Sequence, residues 1–130
     1  WMDSRESLFA SPRFGSDISA LRPIIPRGLS DSASLDAAVE FFVQSGRSLP
    51  HVMAMLVPEA WEKHQSMNEE KKAFYEYHAC LTEPWDGPAL LAFTDGTSIG
   101  AVLDRNGLRP ARYVLTTDHR LVLASEAGAL

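Results

Sequence analysis

Residues 85–130 read WDGPALLAFTDGTSIGAVLDRNGLRPARYVLTTDHRLVLASEAGAL. Short runs of Leu, Ile, Val, Phe and Tyr are broken by Asp, Gly, Asn and Thr, the pattern of strands joined by tight turns. ALLAFTDG and SIGAVLD predict a hairpin over a two-residue Asp95-Gly96 turn, and ARYVLTTD and RLVLASE a second over Asp118-His119. Between the hairpins lies DRNGLRP, residues 104–110, a polar turn whose Gly107 permits a backbone bend. Its arginines, Arg105 and Arg109, have the chemistry to bind phosphate or carboxylate. The plainer expectation is that they fix the loop by pairing with nearby acids such as Glu126.

Working back from residue 85, the signals become helical. EPWDGP is a turn. NEEKKAFYEYHACLT, residues 68–82, places its acids first, which suits the positive end of a helix dipole. Its expected apolar face is Ala73, Tyr77, Cys80 and Leu81. EAWEKHQSM, residues 59–67, is irregular. Met53, Leu56 and Val57 predict a helix capped by Ser48, with Pro50 in its first turn and Pro58 closing it. Leu35, Val39, Phe42 and Val43 predict another, started by Ser32 or Ser34 and ended at Gly46. DSRESLFAS and GSDISALRPIIP predict short turns of helix stopped near Pro12 and Pro23. The class is therefore α+β, with helices over residues 1–82 and antiparallel strands over 89–130, in one domain.

Composition removes several classes of function. The chain has 130 residues, 45% of them apolar, and a net charge of −5 with no basic run, so nucleic acid is not an expected partner. No apolar stretch reaches the roughly 18 residues of a membrane span. A single cysteine excludes an internal disulfide and suits a reducing, cytoplasmic setting. Trp1 precedes Met2, as expected for a piece of a longer chain or a tagged start.

Three features have chemical potential. Cys80 is the only thiol; helical spacing predicts a buried structural cysteine, with His78 on another side of the helix. His51, His64, His78 and His119 show no metal-ligand spacing, so no metal site is expected. GLSDSASLD, residues 28–36, crowds three serines and two aspartates at a helix start. Either these side chains cap the helix, or an aspartate there faces a cleft and holds an ammonium group.

The whole series of motifs resembles a known family. WDGPALLAFTDG, DRNGLRPARY and LASEAG, with FYEYHACLTEPWDGP, SGRSLPHVMAMLVPEAW, SDSASLD and the opening WMDSRE, are similar to the class II glutamine amidotransferases. The likeness is greatest to the glutaminase domain of glutamate synthase large subunits, and covers essentially the whole chain. It implies an N-terminal-nucleophile hydrolase fold, a four-layer αββα sandwich of which this chain is the C-terminal half. It implies hydrolysis of glutamine to glutamate and ammonia, which passes to 2-oxoglutarate. An N-terminal cysteine forms a glutamyl thioester, and an Asn-Gly pair builds part of the oxyanion hole. Both are expected upstream of Trp1, so no catalytic residue is assigned here and this piece alone is expected to be inactive. Asp31 matches the acid that grips the α-amino group of glutamine, with Ser30 beside it at the site and capping of the helix by Ser30 or Ser32. Leu29 departs from the small residue often found in relatives, which affects the shape of the loop. FMN and an iron–sulfur cluster are expected in other domains of the larger protein, with none in this chain. The implied partner is the remainder of a glutamate synthase large subunit, in the cytoplasm or in a plastid. Exposed sheet edges predict self-association of the isolated piece. The rival reading is a stand-alone, non-catalytic binding or assembly module descended from the same domain.

Overall fold

A computed structural model describes residues 23–128. Three helices come first: α1 (Asp31–Gln44), α2 (Leu49–Leu56) and α3 (Glu69–Ala79). Four strands follow: β1 (Leu90–Thr94), β2 (Ile99–Leu103), β3 (Arg112–Leu115) and β4 (Leu121–Ala124). The expected order of helices then antiparallel strands is observed. The short helices expected before Pro12 and Pro23 lie outside the described residues.

α1 begins earlier than its apolar spacing suggests. Ser30, not Ser32 or Ser34, is the N-cap, and its Oγ accepts the Ala33 amide at 3.3 Å. Ser34 is instead buried within the helix, with Leu35, Ala38 and Phe42. The helix ends as expected. Gly46 has φ +95°, its amide donates to the Val43 carbonyl at 2.9 Å, and the Arg47 amide reaches Phe42 at 3.4 Å. This pair of bonds satisfies carbonyls that the last turn leaves over. α2 follows after four residues, with Pro50 in its first turn where no amide is needed. It is buried on nearly every side, through Leu49, Val52, Met53, Met55 and Leu56. Side chains as large as Phe42 and Leu56, both almost fully buried, contribute about 1.5–3 kcal/mol each.

α3 turns a different face inward from the one expected. Tyr75 and His78 are buried, whereas Tyr77 is 61% exposed and Ala73 and Cys80 are exposed. Hydropathy underrates Tyr and His, which bury well when their polar atoms find partners. Tyr75 Oη donates to Glu59 at 3.4 Å, and His78 Nδ1 to the Phe74 carbonyl at 2.7 Å.

The strands form two separate two-stranded antiparallel sheets, β1–β2 and β3–β4. β1–β2 packs Leu91, Phe93 and Val102 against the helical core. These positions share one face, as a period of two requires. β3–β4 leaves Tyr113, Val114, Leu115, Leu121 and Leu123 exposed. The first turn is shifted by one residue and the second is longer than expected. Thr94 pairs with Ile99, so residues 95–98 form the first turn, with Gly96 and Thr97 at its tip. Asp95 Oδ1 draws this turn together by accepting the Thr97 and Ser98 amides at 2.9 and 2.8 Å. Leu115 pairs with Leu121, so the second turn spans residues 116–120. His119, at φ 62°, supplies its left-handed residue, a conformation in which Asn, Asp and His are enriched among non-glycines.

Candidate functional site

The start of α1 is built from four serine contacts. The loop turns at Gly28, where φ is +83°, and extends at Ser30. The Ser30 carbonyl accepts both the amide and the Oγ of Ser34, each at 2.9 Å. Ser30 Oγ, besides accepting the Ala33 amide, lies 3.2 Å from Ser32 Oγ. Capping is thereby done by Ser30. Asp31 is the first helical residue, and its side chain is exposed and makes no hydrogen bond or ion pair among the described residues. The carboxylate stands at the positive end of α1, where the dipole favours a negative charge. Such an arrangement can receive a cation from solution. Ser30 sits beside it with its hydroxyl already engaged.

The 104–110 turn is organised by a residue that sequence reasoning missed. Asp104 is buried at 6% exposure. Its Oδ1 accepts the amides of Ala89 at 3.0 Å and Arg109 at 3.4 Å, and its Oδ2 those of Asn106 at 3.1 Å and Leu108 at 3.3 Å. These donors, the Ala89 amide foremost, hold its pKa below the ordinary carboxylate value against the opposing effect of desolvation. The arginines do not share this work. Arg105 pairs with Glu62 at 3.0 Å, tying the turn to the irregular 57–68 segment. Neither Arg109 nor Glu126 forms an ion pair among the described residues, which corrects the expectation that Glu126 fixes the loop. Arg109 and Glu126 line an open cavity of about 430 Å³ with Pro88, Leu90 and Ser125. The signal for Asp104 was present in its Asn-Gly neighbours, because Asp side chains commonly accept amides a few residues on in turns.

Cys80 is exposed at the C-cap of α3, so the expectation of a buried structural cysteine is overturned. The face of α3 is set by Phe74, Tyr75 and His78, which leaves Cys80 outside it. Its Sγ lies 3.4 Å from the Glu76 carbonyl.

Two histidines that lie 27 residues apart meet between α2 and α3, with Nε2 of His51 and His78 separated by 3.1 Å. No group of three or more His, Cys, Asp or Glu side chains converges among the described residues. No described helix is long and apolar enough to cross a membrane.

The family model of the class-II glutamine amidotransferases matches residues 1–130. The chain is 52% identical over 130 residues to the glutamate synthase [NADPH] large chain of Bacillus subtilis. It is 52% identical over 131 residues to the glutamate synthase [NADH] of Schizosaccharomyces pombe, and 52% over 132 residues to the ferredoxin-dependent glutamate synthase of Pyropia yezoensis. All of this chain is covered in each case, but it spans only 9%, 6% and 9% of those proteins.

Proposed function

The chain belongs to the class-II glutamine amidotransferases, and on that premise we propose that it is part of the glutaminase domain of a glutamate synthase. In the whole protein the domain hydrolyses glutamine and passes ammonia to a synthase domain that takes 2-oxoglutarate and uses FMN and an iron–sulfur cluster. The sheets of residues 90–124 join others in a four-layer αββα sandwich. The exposed apolar side chains of β3–β4 support that reading, and self-association of the isolated chain follows from the same exposure.

The role of this chain in the reaction is to hold substrate. The Asp31 carboxylate receives the α-ammonium group of glutamine at the N-terminus of α1. Ser30 and Ser34 fix the turn that presents it. An N-terminal thiolate elsewhere in the protein attacks the side-chain amide carbon. Ammonia leaves, and water cleaves the glutamyl thioester. The only cysteine of residues 1–130, Cys80, caps α3 and takes no part.

The observation that carries the assignment is the Asp31 carboxylate, left open because Ser30 does the capping. The test is glutamine hydrolysis by the whole protein and its Asp31→Ala variant. Loss of one charged contact of about 1.5–3 kcal/mol lowers kcat/KM roughly ten- to hundredfold, chiefly through KM. An unchanged kcat/KM removes Asp31 from the site. A whole protein without glutaminase activity favours a non-catalytic module instead.

A further inference from the structure

His51 lies on the first turn of α2 and His78 on the last turn of α3, and α3 packs chiefly on α2. The contact is built on both sides. His78 is 6% exposed, and its Nδ1 is 2.7 Å from the Phe74 carbonyl. A carbonyl only accepts, so Nδ1 carries the hydrogen, and in neutral His78 Nε2 is the acceptor. Neutral His51 must then donate through its own Nε2. Phe74 completes the cluster, with its ring centroid 5.1 Å from His51 and 4.2 Å from His78.

We propose that the His51–His78 contact is a proton-operated latch between α2 and α3, closed while the two rings share at most one extra proton and opened when both are charged. With no extra proton, His51 Nε2–H donates to His78 Nε2. With one, either ring as imidazolium donates to the other, which keeps its remaining hydrogen on Nδ1. With two, both Nε2 atoms carry hydrogen, no acceptor remains, and two positive charges face each other 3.1 Å apart. The surroundings offer no relief. Arg47, just ahead of α2, adds a like charge near His51, and the Tyr77 ring lies 5.1 Å from His78. Among the described residues, no charged group of α1 or β2, the other elements on α2, acts on His51.

Burial, His78 and Arg47 all push the His51 pKa below its ordinary value. The unfolded chain therefore binds more protons than the folded one, so the stabilisation is complete above the ordinary histidine pKa. It is lost as pH falls through the lower folded value. Separately from the histidine contact, α2 is joined to the chain leading into β1, where its C-terminal Leu56 carbonyl accepts the Trp85 amide at 2.6 Å.

The test is amide hydrogen exchange on the whole protein, followed in peptides covering 49–56 and 69–79, with intrinsic rates corrected for pH. Between about pH 7.5 and about pH 5, protection in these peptides is expected to fall about tenfold or more, while 90–103 changes less. His51→Phe, which keeps a ring but cannot be charged, is expected to flatten that dependence. If it does not fold, His78→Gln serves the same end. Equal pH dependence in wild type and either variant, or none in wild type, overturns the latch.

Discussion

Ala89 and Asp104 hold each other at the open end of the first hairpin: the Asp104 amide donates to the Ala89 carbonyl at 3.0 Å, and the Ala89 amide donates to the Asp104 carboxylate at 3.0 Å. One side chain thus closes the open end of β1–β2 and shapes the turn that follows.

Replacing Asp104 by Ala leaves the amides of Ala89, Asn106, Leu108 and Arg109 without their shared acceptor. The urea midpoint is expected to fall with little change in the slope of the transition. The wild-type carboxylate is depressed in pKa, so its contribution is present above the ordinary carboxylate value and is lost as pH falls through the lower folded value. An unfolding series in acid should show a shallower decline for the variant.

Ser30 and Asp31 are expected to separate stability from the proposed substrate binding. Ser30→Ala removes the N-cap and is expected to cost about 0.5–2 kcal/mol in thermal or chemical unfolding. Asp31→Ala, which breaks no hydrogen bond among the described residues, should stay within about 0.5 kcal/mol. A large stability loss at Asp31 would assign it to the helix rather than to a ligand.

Gly100 lies directly opposite Phe93, whose ring covers it. A methyl group there would stand 2.5 Å from Phe93 Cε2, closer than packing allows. Gly100→Ala is expected to destabilise by about 1–3 kcal/mol as the ring moves from its place on the core. Combining it with Phe93→Leu should recover part of that loss in a double-mutant cycle.

Cys80 is exposed, so iodoacetamide is expected to label the native chain near neutral pH, and peptide mass analysis locates the adduct. Glutaminase activity of the whole protein should survive labelling at this position, because Cys80 sits at the end of α3 and not at the proposed site. Protection of Cys80 under native conditions would mean that another part of the larger protein covers it.

Helix and strand order was legible because the periodicities at residues 35–43 and 90–103 differ so plainly. What escaped was set by side chains whose partners lie far away in sequence. His78 meets His51, 27 residues back, across the gap between α2 and α3, so hydropathy placed the wrong face of α3 inward. Asp104 resembles any turn aspartate until Ala89, 15 residues back, supplies its amide. The first hairpin was read one residue early because Asp95-Gly96 fits a tight turn, whereas Asp95 spends its carboxylate on Thr97 and Ser98. The role proposed for Asp31 rests on family likeness, since the residues of this helix start by themselves favour a cap over a ligand. The structure adds that Ser30 is the cap.

No backbone ladder joins β2 to β3, and each hairpin takes its alignment from its own turn. Insertions and deletions in the two turns are therefore free to accumulate independently. A residue lost from 116–120 would exchange the faces of β3 relative to β4 while leaving Leu91, Phe93 and Val102 on the helices. Among relatives of this chain, length variation should concentrate in the second turn, whose strands meet fewer neighbours among the described residues.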